Sequence, residues 1–536
     1  MRTPNRILPL ALSALLCASA ALAASPAANR SPAPGTYVTI PDTIVAGPGL
    51  KADVERGLFF VRENRAKADS RIIAVAFIRF PAQQTGGAGR PPVFLLAGGP
   101  GSDFDFKDPV EMRAAQRLSR TRDLVYISQR GNPIAPGLVA QMYTPSRTAP
   151  LDKPATVESV RESQRAAFKE ALDQWTARGV DPSGYDILNI VDDVHELRAA
   201  LGYDKLVLRG CSFGSQWSFS YLKRWPQTVD RAWLSGVEPL DYAYDSPKWL
   251  WNSLTRLAQR AEADPAMKKE IPRGGVMRAL QEVVEKLDEQ PATVAIEDPR
   301  AGKPVSITLG AKDVQDIITY GGMMGESRDE RLGNWPRFII EMRRGDLRYA
   351  AAMVWEMRTF VEEGEPLIGG LIDNSLGITA KRDAQLLAEP EARWLGDIND
   401  FYHNTRDITP TPNVGDAFRA DWPLEMPVLL VNGDLDWSTP VENARHASKF
   451  LKHGAYVEVE GGTHCGETED MVAERPQEME QLYSFIDADF SKSTPEQFFA
   501  TLPKRVVYPA IHFVPPGGAS LYEQWLAQRK KRLAGG

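Results

Sequence analysis

The stretch Gly210-Cys211-Ser212-Phe213-Gly214 sets a hydroxyl between two glycines where an apolar run, "KLVLR", gives way to the helical pattern "SQWSFSYLKRW" that stops before Pro226. In that context G-x-S-x-G predicts a tight strand-to-helix turn that raises the serine hydroxyl above a sheet edge. The glycines are needed because side chains at those positions would collide with the neighbouring strand and helix. In a chain with 42 glycines the five-residue pattern alone says little, and a plain glycine-rich turn is the competing reading. The flanking strand and helix give the pattern its weight. A serine hydroxyl is a poor nucleophile near neutral pH, so chemistry here requires a base, held in turn by an acid.

Six histidines are available. His464 follows the strand pattern "AYVEVE" through "GGT", which puts it in a loop at the carboxyl end of a late strand, where α/β sheets gather functional groups. His195 reads as a helix-surface residue, and His446 and His453 belong to the helical stretch after "STP". With no H-E-x-x-H and no carboxylate at ligand spacing, no metal site is expected. The acid should come between serine and histidine in chain order. "MPVLLVNGDLDWSTP" supplies Asp434 and Asp436 directly after a buried-type strand. Asp436, beside the turn that launches the next helix, is the chosen partner, which leaves Asp434 to cap a turn. Amide donors for an oxyanion are expected from the N–H of Phe213 and from the loop "AGGPGSD", with Gly98 and Gly99 as the candidates and Pro100 and Gly101 shaping the turn.

Positioning these groups requires a sheet. From Gly35 to about Pro239, short β-type runs ("GLFFVREN", "RIIAVAFIRF", "PVFLLAGG", "DLVYISQRG", "KLVLRG", "RAWLSGV") alternate with helical patterns. Such alternation predicts crossover connections and a mostly parallel sheet flanked by helices. In "YDILNIVDDVHELRAALGYDK", Ile187, Ile190, Val191, Val194, Leu197 and Leu201 recur at helical spacing, while Asp192, Asp193, Glu196 and Arg198 fall elsewhere. From about Asp241 to Asn413 the β alternation largely disappears and tryptophans 249, 251, 335, 355 and 394 punctuate helical patterns, which reads as an inserted helical cap. Those aromatics are expected chiefly to form the core of the cap itself.

The full 536 residues, 43% hydrophobic and 25% charged, suffice for one large α/β core plus a second unit. A net charge of −7, with no basic block beyond "RKKR" near the end, excludes a nucleic-acid footprint. The N-terminus, with Arg2 and Arg6, an apolar stretch from Ile7 and "ALA" at 21 to 23, has the layout of a secretory signal peptide cleaved after Ala23. No later stretch approaches the roughly 20 apolar residues of a membrane span. The expected organisation is a signal peptide at 1–23, a first core segment at 24–240, a helical cap at 241–413, a second core segment at 414–490 and a C-terminal extension at 491–536. The tail "RKKRLAGG" is expected to be a solvated, mobile end.

Taken together, "AGGPGSD", "ISQRG", "GCSFGS", "NGDLDWSTP" and "GGTHC" resemble the α/β-hydrolase serine peptidases of the proline iminopeptidase and tripeptidyl aminopeptidase group, over about residues 37 to 490. The resemblance implies an α/β-hydrolase fold with Ser212 as nucleophile, Asp436 and His464 as its partners and Gly99 in the oxyanion loop. It also implies removal of residues from a free peptide N-terminus without any cofactor. Three positions depart from the group's pattern: Ala97 stands where its loop has histidine, Ser128 where its Asp-Gln-Arg-Gly segment has aspartate, and Cys211 where glycine commonly precedes the nucleophile.

An aminopeptidase must also recognise a cationic α-amine, which calls for a carboxylate near the scissile bond. Glu238 in "SGVEPLD", directly after a core strand, is the first candidate and Glu326 in "GGMMGESRDE" the second. Cys211 and Cys465 adjoin two of the proposed catalytic residues and in an exported protein could pair, although two buried thiols are the favoured reading. The expected function is a periplasmic or secreted serine hydrolase acting as an aminopeptidase on peptides or small amides and esters. The alternatives are a carboxylesterase of the same fold and a non-catalytic binding protein.

Overall fold

The computed structural model describes residues 32–84, 90–131, 150–319, 328–359, 367–465 and 471–535. The expected signal peptide and Glu326 lie outside them. Twelve strands are described: β1 Tyr37–Gly47, β2 Leu50–Arg62, β3 Ile72–Phe80, β4 Val93–Leu96, β5 Leu124–Ile127, β6 Leu206–Cys211, β7 Val229–Ser235, β8 Ala292–Asp298, β9 Lys303–Leu309, β10 Leu424–Gly433, β11 Leu451–Glu460 and β12 Arg505–Val507. Ten form one sheet in the order β1-β2-β3-β5-β4-β6-β7-β10-β11-β12. The run from β5 to β12 is parallel, and β1, β2 and β3 join it as antiparallel strands at one edge.

The short central strands β4 and β5 are buried at every position, as expected of parallel strands covered on both faces. Their side chains alternate between two hydrophobic layers. Phe94 and Leu96 face a cluster with Val191, Leu208 and Trp217, whereas Val93 and Leu95 face one with Val207, Trp233 and Leu429. The helix Ile187–Ala200 buries Ile190, Val191, Val194 and Leu197 against the first layer.

Between β7 and β10 lies the insertion, whose own core gathers Leu254, Val283, Ile317, Trp335 and Trp355. It is not purely helical, because β8 and β9 pair as an antiparallel hairpin within it. Nor is it wholly separate, since Leu367, Ile368, Leu371, Ile372 and Leu376 of the helix Leu367–Leu376 pack into the main core.

The C-terminal tail corrects an expectation. After β12 joins the sheet edge, the chain crosses to the insertion and ends in the helix Leu521–Gly535. Trp525 meets Trp355 edge to face at 6.1 Å and donates from Nε1 to Glu356 at 2.8 Å. Arg529 pairs with Glu356 at 2.7 Å and Lys530 with Glu297 at 2.6 Å. The basic cluster is exposed from Lys530 to Ala534, as a solvated end would be, but it is the charged flank of a helix held by Trp525 and these ion pairs.

Candidate active site

At the end of β6 the backbone turns sharply into the helix Phe213–Arg224, and Ser212 sits on the turn at φ 58°, ψ −136°. Ser212 and Cys465 (φ 55°) are the two non-glycine residues with positive φ among those described. The flanking glycines are sterically required: a Cβ on Gly210 would lie 2.1 Å from the Gly214 carbonyl oxygen, and one on Gly214 would lie 2.2 Å from that of Leu96. Ser212 N–H donates to the Ser235 carbonyl at 3.1 Å, which ties the turn to β7.

His464 follows β11 through Gly461, Gly462 and Thr463. Its Nδ1 donates to the Asp436 carboxylate, at 2.9 Å from Oδ2 and 3.1 Å from Oδ1. Asp436 is fully buried and further accepts from the Ser438 and Thr439 amides at 2.9 and 2.8 Å and from the Thr439 hydroxyl at 2.6 Å. That arrangement fixes which face of the imidazole meets the carboxylate. Asp434 does something else: it accepts from the Gly461 amide at 2.7 Å and pairs with Arg260 at 2.7 Å, so it braces the loop that carries His464.

The loop after β4 passes over the serine. A Cβ on Gly98 would lie 3.3 Å from Ser212 Cβ and 3.7 Å from its Oγ. Gly99 (φ 106°) could not carry a side chain, because a Cβ would come within 2.6 Å of Gly101 N. Gln129, at the end of β5, shapes this loop by donating from Nε2 to the Gly98 carbonyl at 2.9 Å and accepting at Oε1 from the Gly101 amide at 2.8 Å. Arg130 is fully buried and locks the same strand end to Asp193, to the Glu63 carbonyl and to the Gly184 carbonyl. Asp193 is thereby a buried ion partner, although it falls off the apolar stripe of its helix. Ser128 donates to Asp103 at 2.9 Å. Burial pushes that carboxyl up to about 6, against the Tyr126 and Ser128 hydroxyls that donate to it.

Glu238 lies beside the Ser212 turn. Its backbone amide donates to Ser215 Oγ at 2.9 Å, in the first turn of the helix that follows Ser212. Burial pushes Glu238 well above the usual carboxylate range, reinforced by the negative charges of Asp245, Asp373 and Asp436 and opposed by the Ser212 hydrogen bond. Asp245 is raised to about 7 by burial and by Asp436, against Arg382 and His464. Asp373 is raised to about 8 by burial and by Asp245, against the Tyr402 hydroxyl that donates to it. The sequence reading missed Asp245 and Asp373. Their only signal was an aspartate inside the apolar helix Leu367–Leu376 and another at the start of the insertion.

Cys211 and Cys465 form a disulfide, with Cα atoms 6.0 Å apart, which overturns the expectation of two thiols. The thiol reading failed because convergence of the serine turn and the histidine loop carries their sequence neighbours to bonding distance. Four other histidines are held elsewhere. His195 is not simply a surface residue but stacks on Trp225 at 3.8 Å, His403 is gripped by Asp397 and Asp383 at 2.5 and 3.0 Å, His446 meets Asp421 at 3.0 Å, and His453 lies in β11 rather than in a helix and pairs with Glu496. Among the described residues no group of His, Cys, Asp and Glu could hold a metal ion, and no helix is long and apolar enough to cross a membrane.

An "alpha/beta hydrolase fold" family model matches residues 91–271, and a "TAP-like protein" family model matches residues 401–474. The serine protease Hip1 of Mycobacterium bovis and of Mycobacterium tuberculosis is 30% identical over 182 residues, 32% of this chain and 34% of Hip1. The matched region thus spans about a third of the length of these curated relatives. Among solved structures, a serine hydrolase from the polyaromatic hydrocarbon-degrading bacterium Cycloclasticus zankles has 12% identity and a TM-score of 0.33, covering 81% of this chain and 98% of that one. An epoxide hydrolase from an endophytic Streptomyces has 15% identity and a TM-score of 0.33, covering 84% and 98%. Strand order, crossover helices and the family match over the serine turn together establish that this chain has the α/β-hydrolase fold.

Proposed function

We propose that this protein is an exported serine hydrolase that removes residues from the free N-terminus of peptides through an acyl-enzyme on Ser212. One observation carries the reading: a serine on a left-handed turn, a His464–Asp436 pair and a cluster of carboxyl groups beside the serine turn come together from five separate segments. In this mechanism Ser212 Oγ attacks the substrate carbonyl and His464 Nε2 takes its proton, while buried Asp436 holds Nδ1–H and stabilises the imidazolium. The N–H groups of Phe213 and Gly99 receive the negative charge that develops on the carbonyl oxygen. His464 then protonates the departing amine, and a water activated by the same imidazole hydrolyses the ester.

Glu238, with Asp245 and Asp373 near it, supplies the carboxyl groups that receive the substrate's α-ammonium, whose positive charge favours their ionised form. The Hip1 similarity and the TAP-like match support a peptidase over a general esterase. Alanyl- and prolyl-anilides with free amines, compared with their N-acetylated forms, test the reading. An aminopeptidase should hydrolyse the free forms and reject the blocked ones. Equal rates would favour a carboxylesterase, and failure of both to turn over would favour a binding protein.

A further inference from the structure

Ser212 and His464 come from segments more than two hundred residues apart, and the Cys211–Cys465 bond joins their immediate neighbours across a separation of 254 residues. We propose that this disulfide is a positioning element of the site: it keeps the turn presenting Ser212 in register with the loop presenting His464, so that hydrolysis depends on the oxidised pair. The inference rests on the serine-hydrolase reading above.

Three observations carry it. Of the two non-glycine residues held at positive φ among the described residues, Cys465 is one end of this linkage and Ser212 directly follows the other. Such conformations are disfavoured for residues with a Cβ and persist only where the surroundings impose them. Next, Gly236 (φ 48°) packs so closely that a Cβ there would lie 2.9 Å from Cys211 Sγ, 2.9 Å from Ser212 N and 3.1 Å from Thr439 Oγ1. Thr439 Oγ1 is in turn 3.1 Å from His464 Nδ1 and donates to Asp436. The disulfide, the nucleophile turn and the acid's loop therefore share one contact point.

Finally, the loop carrying His464 is braced on its upstream side. Gly461 N–H donates to Asp434 at 2.7 Å, Arg328 Nε to the Gly461 carbonyl at 2.8 Å and Leu435 N–H to the Gly462 carbonyl at 3.0 Å. The disulfide fixes the residue immediately downstream of the histidine. Proton transfer between a serine and an imidazole tolerates little displacement, and about 1 Å costs roughly a hundredfold in rate.

Cys211 and Cys465 are both half-buried, so a small dithiol can reach the bond. One dithiol thiolate attacks a cysteine sulfur to give a mixed disulfide and release the other cysteine, and its second thiol then closes to expel the first. Overall the two cysteines gain two electrons and two protons and become thiols, while the dithiol becomes a cyclic disulfide.

The test uses the full chain, a p-nitrophenyl ester and a fluorophosphonate probe. Protein treated with dithiothreitol, shown by mass to carry two alkylatable cysteines, is compared with oxidised protein, with reoxidised protein and with the C211A/C465A variant. Positioning requires kcat and the rate of Ser212 labelling to fall at least about tenfold on reduction with KM within about twofold, circular dichroism to be retained, and activity to return on reoxidation. The double variant should start at the reduced level and ignore dithiothreitol. Unchanged kcat after verified reduction, or full activity in the double variant, overturns the proposal while leaving the hydrolase reading intact. Loss of circular dichroism in step with activity also overturns it, by making the bond a staple of the fold. An oxidised chain whose Ser212 never reacts with the probe defeats the hydrolase reading and this inference with it.

Discussion

Ser212, His464 and Asp436 bear unequal parts of the proposed chemistry, and their substitutions should differ accordingly. Ser212→Ala should leave only the roughly 10³- to 10⁴-fold acceleration over water that binding and an oxyanion site provide. Asp436→Asn should lower kcat by about 10⁴-fold, because an amide cannot hold the required imidazole tautomer. Glu238→Gln should raise KM for a free-amine anilide while hardly affecting a p-nitrophenyl ester that has no amine. The acidic cluster also fixes a pH dependence. Asp245 at about 7 and Asp373 at about 8 are protonated below those values, so the cluster becomes more negative as pH rises from 6 to 8. KM for the free-amine substrate should fall over that interval and that of the ester should stay flat. For stability the sign is opposite. These acids bind protons more tightly in the folded chain, so stability is lost as pH rises from their unfolded values through their raised folded ones. Asp373→Asn should therefore raise the melting temperature relative to the parent more at pH 8 than at pH 5, as scanning calorimetry would report. The positions of Ser212, Asp436 and His464 were legible because each follows a strand whose apolar run marks it. Asp373 was not, because an aspartate within a helix reads as a solvent-facing residue until the fold shows what surrounds it.

The elements transmit these constraints through close backbone contact. A methyl on Gly214 would lie 2.2 Å from the Leu96 carbonyl, which belongs to the strand feeding the proposed oxyanion loop. Gly214→Ala should consequently cost about 1–3 kcal/mol in stability, as overpacking does, and displace Phe213 N–H as well. Chemical denaturation and kcat should fall together in that variant. Strands β2 to β7 were readable from apolar runs bounded by turn residues. Strand β1 was not, because its Tyr37 and Val38 are exposed and its pattern "YVTIPDTIVAG" carries a proline that argues against a strand. It forms nonetheless at the sheet edge, paired with β2 alone, where a missing N–H is tolerated. The hairpin β8–β9 escaped for a different reason. It is short, half-exposed and enclosed by helices long enough to dominate any window of periodicity.

Across the whole molecule, the C-terminal extension binds the sheet edge to the insertion, since β12 pairs with β11 and the last helix packs on Trp355. Trp525→Ala should destabilise the insertion by about 3 kcal/mol, at the lower end for a large aromatic, because Trp525 is not completely enclosed. Limited proteolysis should then cut within the insertion before the sheet. Charge and composition could not show this strap, because a basic tail looks the same whether it is solvated or paired with Glu297 and Glu356. The disulfide was hidden for a related reason: pairing across 254 positions is a property of the assembled molecule. All of these arrangements converge on one claim, that Ser212 is a nucleophile activated by His464. Active-site titration with a fluorophosphonate, followed by peptide mass mapping, tests it most directly. One adduct per chain on the Ser212 peptide, abolished by His464→Ala, is the expected result. An unlabelled Ser212 in the folded, oxidised protein would contradict it.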